Sequence, residues 1–267
     1  MTKGGEAMKL LEQFIMGKKN NPILCEDGIV ITDDFIAVLD GVTAKSKRSF
    51  YGRTGGRAAM EVAAAVIRST PAITKSEILF RNINTAIREL YDGNNGGEAA
   101  VCVCIYSRYY REIWSSGDCQ YIVNGKHYCE EKEIDHIYSR MRATILERAE
   151  RMGVLTADRD MGREYILPLL KGQHLFANSN GKYGYPLLNG GSFDTETVNI
   201  TKVNEGDTVI IATDGYPRLF STLEDSEAYL QYVIENDPMC YKLHISTKGI
   251  EKDCISFDDR AYVKFMA

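Results

Sequence analysis

Apolar and polar positions follow two periods along this chain, and the switches between them mark out strands and helices. Residues 9–16 read as an opening strand that stops at Gly17 and the polar run Lys18-Lys19-Asn20-Asn21-Pro22. Ile29-Val30-Ile31 and Ile36-Ala37-Val38-Leu39 flank the acidic turn Asp33-Asp34, a pattern that predicts a hairpin carrying Glu26 and Asp40 on neighbouring strands. Apolar runs at 100–106, 111–115 and 120–123 follow, with an Asn124-Gly125 turn before 127, and predict an antiparallel meander. Strands are expected again at 196–201, 207–213 and 260–266.

Between these stretches the period changes to that of a helix. Ala59, Val62, Ala63, Val66 and Ile67 recur at i, i+3, i+4, i+7 and i+8, and Pro71 closes the run. A second helix over about 75–91 buries Leu79, Ile83, Ala86, Ile87 and Leu90 and ends at Asp92-Gly93-Asn94-Asn95-Gly96-Gly97. A third spans 133–152 with Tyr138, Met141, Ile145, Ala149 and Met152 expected on its buried side, and shorter ones are expected near 160–171 and 225–236. Residues 153–194 have the weakest pattern and read as a flap over a site or a long surface loop. The order of elements indicates antiparallel sheet layers covered by helices rather than a βαβ array. With neither an internal repeat nor a Pro/Ser-rich linker, residues 1–267 are expected to form one domain.

Composition narrows the class. At 267 residues and 44% hydrophobic the chain can bury a sizeable core. Its net charge of -5, with Lys and Arg scattered, advertises neither nucleic acid nor an anionic membrane as a partner. Seven cysteines, an odd number without a CxxC pair, suit reduced core thiols, and Cys102 and Cys104 alternate onto one face of a strand. No apolar run approaches the ~20 residues needed to span a bilayer, and no signal-peptide core is present, so a cytoplasmic protein is expected. Oligomeric state is left open.

The chemistry lies in the carboxylates. Glu26 and Asp27, Asp40, Asp118, Asp214, and Asp258 and Asp259 all stand at expected strand ends or tight turns. Each Asp-Gly alone suits an ordinary turn. Gathered together, such groups repel one another unless a hard divalent cation neutralises them, and oxygen-only ligation suits Mg²⁺ or Mn²⁺. Four unpaired histidines argue against zinc, and neither a GxSxG elbow nor a phosphate-binding P-loop motif occurs. Adjacent residues on a strand face opposite ways, so only one of Glu26 and Asp27 is expected to point at a given site.

These motifs, in this order, resemble the protein phosphatase 2C family, the metal-dependent PPM-type serine/threonine phosphatases. Cys25-Glu26-Asp27-Gly28 resembles the family's Glu-Asp motif, and Val38-Leu39-Asp40-Gly41 its Asp-Gly motif. Glu98-Ala99-Ala100-Val101 is similar to its Gly-Ser/Thr-Thr-Ala-Val strand start, and Ser116-Gly117-Asp118-Cys119-Gln120 to its Gly-Asp-Ser-Arg turn. Ile211-Ala212-Thr213-Asp214-Gly215 resembles the Ala-Ser/Thr-Asp-Gly motif, and Asp258-Asp259-Arg260-Ala261 the C-terminal Asp-Asn/Asp pair. The resemblance fails mainly over 153–194.

The resemblance implies an α+β, four-layer α-β-β-α sandwich of two antiparallel sheets flanked by helices, with metals in a cleft at one end. It implies a metal-dependent phosphoprotein (Ser/Thr) phosphatase using Mn²⁺ or Mg²⁺, in which two cations share a bridging hydroxide that attacks phosphorus in line. Asp40 would bridge the ions, the Gly41 carbonyl and Glu26 (beside Asp27) would serve one, and Asp214 and Asp258 would hold the other. Asp40 and Asp214 are thus the expected catalytic pair. Asp135, in Asp135-His136, resembles the family ligand of a third, weaker site; its alternative role is to cap a helix beginning near Ile137.

Three positions depart from the family pattern. Val42-Thr43-Ala44 follows Gly41, where the family often has His or Met and two glycines, so a histidine acid is missing there. The phosphate-binding arginine that precedes the Glu-Asp motif is absent; Lys18 and Lys19 are the nearest cations, with Arg48, Arg53 or Arg57 as substitutes. Gly117-Asp118-Cys119-Gln120 lacks the arginine of its turn. The alternatives are a catalytically weak relative that binds metal or phosphoprotein as a regulator, and a different two-metal hydrolase such as a nuclease. The acidic charge balance opposes the nuclease.

Overall fold

Alternation along one strand, Phe35–Gly41, sets the layering of the molecule. The structure is a computed structural model and describes residues 8–43, 48–91 and 98–267. The Asp92–Gly97 turn, and Lys45 and Lys47 of the basic loop, lie outside the described residues. In chain order the elements are β1 (Lys9–Met16), β2 (Gly28–Ile31), β3 (Phe35–Gly41), α1 (Gly55–Ser69), α2 (Ser76–Arg88), β4 (Val101–Ser107), β5 (Glu112–Ser116), β6 (Gln120–Val123) and β7 (Lys126–Tyr128). There follow α3 (Glu133–Arg151), α4 (Met161–Gly172), β8 (Asn199–Lys202), β9 (Thr208–Ala212), α5 (Leu223–Asn236) and β10 (Arg260–Met266).

The strands form two five-stranded antiparallel sheets, in the orders β2-β3-β4-β5-β8 and β1-β10-β9-β6-β7. Phe35, Ala37 and Leu39 of β3, with Val101, Val103 and Ile105 of β4, pack against Ala59, Ala63 and Ile67 of α1 and Leu79, Ile83 and Ile87 of α2. The residues between them, Ile36 and Val38, Cys102, Cys104 and Tyr106, meet Ile211, Val263 and Phe265 of the other sheet. Tyr106 and Phe265 touch ring to ring across this interface, with centroids 4.9 Å apart. Asp40 continues the Ile36-Val38 row and so comes to the open end of the space between the sheets. The outer face of the second sheet packs Ile210, Ala212 and Tyr262 against Tyr216, Leu219 and Leu223 at the start of α5. The α+β class and the two antiparallel sheets flanked by helices match the expectation from sequence.

Two expectations are corrected. The meander over 100–127 is broken: β4 and β5 belong to one sheet and β6 and β7 to the other. The crossing is Gly117-Asp118-Cys119, where Gly117 has φ of +91° and a Cβ would stand 2.3 Å from the Cys102 Sγ, so no hairpin forms and the chain passes to the opposite layer. On α3 the buried face is Ser139, Arg142, Ala143, Leu146 and Ala149, whereas Met141 and Met152 are exposed. The helix turns this way because Arg142, fully buried, gives Nε and Nη2 to Asp160 at 2.9 and 2.7 Å. The rest of its guanidinium donates to the carbonyls of Met239, Cys240 and Ser246 at 2.6 to 2.9 Å. A polar residue with every donor satisfied is at home in the interior.

Within 153–194, α4 lies beside α3, and Leu187 and Leu188 are buried in the inter-sheet and helix-side cores respectively. The Val101 amide donates to the Leu188 carbonyl at 3.0 Å, and Asn84 Oδ1 accepts from the amides of Asn189 and Gly190. No helix among the described residues is long and apolar enough to cross a membrane.

Candidate metal centre

Three chain segments deliver carboxylates to the open end of the sandwich. Asp40 ends β3, Asp118 sits in the turn that crosses between sheets, and Asp214 follows β9. One carboxylate oxygen from each lies within 4.8 Å of the others. Asp27 joins them from the start of β2, its Oδ2 accepting from the Thr213 hydroxyl at 2.6 Å.

The local sequence explains the convergence. Gly41 donates its amide to the Glu26 carbonyl at 3.2 Å, which holds the Glu-Asp motif beside the end of β3. The Gly41 carbonyl oxygen faces the first turn of α1, where a Cβ on Gly56 would stand 2.6 Å away. Asp259 ties the other side: its Oδ1 accepts from the Lys18 amide at 2.7 Å and its Oδ2 from the Glu26 amide at 2.8 Å.

Electrostatics in this cleft are those of crowded anions. Burial, then the charges of Asp214, Asp27, Asp118 and Asp258, push the Asp40 carboxyl well above the usual range. Burial, then Asp258 and Asp118, push Asp214 up to about 7. Asp27 is raised by burial and by Asp259, Asp258 and Asp214, against the hydrogen bond from Thr213. Buried carboxylates in this state are held against their own repulsion, and a hard divalent cation relieves it. The donor set is therefore one that fits Mg²⁺ or Mn²⁺: oxygen only, anionic and clustered.

Cations of the protein itself border the cluster. Lys132 Nζ stands 2.6 Å from Asp118 Oδ2. Burial raises Asp118, but the Lys132 charge and hydrogen bond outweigh it, so this carboxyl is held low. Asp258 accepts from Lys18 Nζ at 2.9 Å and from Lys248 Nζ at 2.5 Å. Against burial, these two ammonium groups hold Asp258 down at about 2.

The remaining expected residues fall as follows. Glu26 and Asp27, just ahead of β2, take different partners: the two oxygens of Glu26 accept from the hydroxyls of Thr43 and Thr54 at 2.6 and 2.5 Å, whereas Asp27 takes that of Thr213. Thr43 thus holds Glu26 at the place where the family pattern differs, and Thr54 also caps α1. Lys18 is largely buried beside Asp258, while Lys19 is exposed. Asp135 lies inside the first turn of α3, which begins at Glu133, so it is not the cap expected from sequence; Lys132 holds that position. Its Oδ1 accepts from Gln173 Nε2 at 2.7 Å and its Oδ2 lies 3.7 Å from Lys132 Nζ.

The sequence places Asp118 among the gathered carboxylates but gives it no ligand role, and nothing in it singles out Lys132 or Lys248. Lys132 sits in the run Glu130-Glu131-Lys132-Glu133, which reads as a solvated surface. The signal available was its spacing just ahead of a helix that starts where the chain returns past Asp118.

No family model matches the chain, and no curated protein matches it. Solved structures do. The Mycobacterium tuberculosis serine/threonine phosphatase PstP/Ppp is similar over 98% of this chain and 99% of its own, with a TM-score of 0.51 at 12% identity. The catalytic domain of the serine/threonine protein phosphatase PstP, in complex with two manganese ions, is similar over 97% of this chain and 98% of its own, with a TM-score of 0.50 at 14% identity. Stp1, a serine/threonine phosphatase from Staphylococcus aureus, is similar over 98% and 96%, with a TM-score of 0.50 at 13% identity. At such identities the likeness is one of fold, and it extends over nearly the whole chain.

Proposed function

We propose that this chain, which has the fold of PPM-type serine/threonine phosphatases, is a metal-dependent phosphoprotein phosphatase. The observation that carries the reading is the half-buried group Asp40, Asp118 and Asp214, oxygen ligands within 4.8 Å of one another whose crowding calls for a divalent cation. Asp40 and Asp214 are the central ligands in this reading. Asp27, Glu26, the Gly41 carbonyl and Asp258 supply the further oxygens around them.

Bound Mn²⁺ or Mg²⁺ would supply an activated water and neutralise the charge of a phosphoryl group during in-line attack. The chain's own residues hold that arrangement. Thr213 orients Asp27, Thr43 and Thr54 orient Glu26, and Asp259 fastens Lys18 and the Glu-Asp motif by backbone bonds. Lys18 and Lys248, partly exposed at Asp258, offer ammonium groups to the phosphate of an arriving substrate. A cysteine nucleophile is disfavoured, because burial and nearby carboxylates push the Cys102 and Cys119 thiols well up. The substrate class is a phosphorylated serine or threonine on a protein.

The test is hydrolysis of an aryl phosphate and of a phosphothreonine peptide with and without Mn²⁺. Activity that requires Mn²⁺ and disappears in Asp40→Asn supports the proposal; wild-type turnover no greater than that of Asp40→Asn overturns it. One observation favours a second reading, a catalytically weak regulator that binds metal or phosphoprotein: both oxygens of Asp258 are already engaged by Lys18 and Lys248. Tight phosphopeptide binding without turnover would select it.

A further inference from the structure

Lys132 is an unusual lysine. It precedes α3 in a run of glutamates, yet its side chain is only 15% exposed. Its Nζ lies 2.6 Å from Asp118 Oδ2 and 3.7 Å from Asp135 Oδ2, with the Tyr185 ring 5.3 Å away as a roof. Long lysine side chains ordinarily carry the charged head to water. Here a carboxylate on each side and an aromatic face hold it inside the cleft.

Asp135 faces the same ammonium. Its other oxygen takes the Gln173 amide at 2.7 Å, so it is committed on both sides. A divalent ion spanning Asp118 and Asp135 would compete with Lys132 for Asp118 Oδ2, and the ammonium held beside both carboxylates would repel it.

We propose that the Lys132 ammonium is a tethered cation standing in for a third divalent ion between Asp118 and Asp135, so that the centre takes two ions and Asp135 ligates none. This rests on the metal-dependent reading of the cleft. The tethered charge does part of what an ion does: it neutralises Asp118 permanently, whatever the metal concentration. It accepts no water or phosphate oxygen as a ligand and cannot be exchanged or chelated. Saturation with metal is then complete once the ions at Asp40 and Asp214 are bound, with no weaker phase.

The test counts ions. Wild-type protein is dialysed to equilibrium against Mn²⁺ and the bound metal measured by elemental analysis, beside Lys132→Gln, which removes the charge and keeps a polar side chain one atom shorter. Lys182→Gln, at a surface lysine 70% exposed, serves as the control. The expected result is two ions on wild type and control and three on Lys132→Gln. Asp135→Asn, made in the wild-type background, is expected to leave the count at two. It covers the case in which Lys132→Gln does not fold. A wild-type count of three that falls to two in Asp135→Asn overturns the proposal, as does a folded Lys132→Gln that still binds two. Either result leaves the phosphatase reading intact if Mn²⁺-dependent hydrolysis persists. Wild-type protein that binds no Mn²⁺ overturns both.

Discussion

Gly41 and Gly56 meet backbone to backbone: a Cβ on Gly41 would stand 2.5 Å from the Gly56 oxygen, and one on Gly56 would stand 2.6 Å from the Gly41 oxygen. Neither obstacle is a flexible side chain, so the end of β3 and the first turn of α1 must separate to admit even a methyl group. Gly41→Ala is expected to lower stability by about 1–3 kcal/mol, the usual cost of overpacking. It should also weaken Mn²⁺ binding, because Asp40 moves with the strand end. Urea midpoints with and without Mn²⁺ measure both effects, and an unchanged Mn²⁺-induced shift would separate Asp40 from this contact.

Replacing a central carboxylate should act in opposite directions on the apo and metal-loaded protein. Asp40→Asn removes one charge from a cluster that repels itself, so the metal-free melting temperature is expected to rise by a few degrees. The increment that Mn²⁺ adds to wild type should vanish. Outer-shell partners of metal ligands are typically worth about 10–100-fold in affinity, and a ligand proper should exceed that. Differential scanning calorimetry with chelator or Mn²⁺ checks the sign of each change.

The same cluster predicts a pH dependence. Asp214 is raised to about 7 and Asp40 and Asp27 are raised well above normal, so between roughly pH 4, the ordinary carboxylate value, and pH 7 the native state binds more protons than the unfolded chain. Stability of the metal-free protein is therefore fully present at the acid end of this window and lost as pH rises through it. Saturating Mn²⁺ should flatten or reverse the slope. Asp258, held at about 2, acts with the opposite sign: its contribution is present above about pH 4 and lost as pH falls toward 2. Denaturant titrations from about pH 2 to 8, with chelator throughout and with Mn²⁺ above about pH 4, test the pair of slopes.

Arg142 provides a prediction away from the cleft. Its guanidinium binds Asp160 and three carbonyls of the 239–246 segment, all within 2.9 Å. Arg142→Ala strands those groups and is expected to cost about 3–5 kcal/mol, as for a buried ion pair that loses one partner. Chemical denaturation measures it; a loss below about 1 kcal/mol would mean that water replaces the guanidinium.

What could be read from the sequence depended on whether the information was local. Val101–Ser107 and Arg260–Met266 were visible as strands because burial on the sandwich leaves a pattern in the residues themselves, and Ala59 to Ile67 declared a helix face in the same way. Asp40 and Asp214 were visible because each ends such a strand. The crossing at Gly117 was not, since nothing in β5 or β6 states which sheet each joins. Arg142 does not stand out in the sequence, because a satisfied guanidinium and a solvated one have the same letter. Lys132 and Lys248 were hidden for a related reason: their partners Asp118 and Asp258 are 14 and 10 residues away, reached only by the folded path.

Strand β3 carries the helix-side core on Phe35, Ala37 and Leu39, the inter-sheet core on Ile36 and Val38, and Asp40 at the end of the second row. A pairing error of one residue against β4 would exchange the two rows, driving the carboxylate under α1 and setting Leu39 in the cleft. Hydrophobic burial thus proofreads the ligand's position. A preparation able to take up Mn²⁺ at Asp40 certifies that the central sheet was assembled in its native alignment, which makes metal uptake a fidelity assay for folding as well as a step toward catalysis.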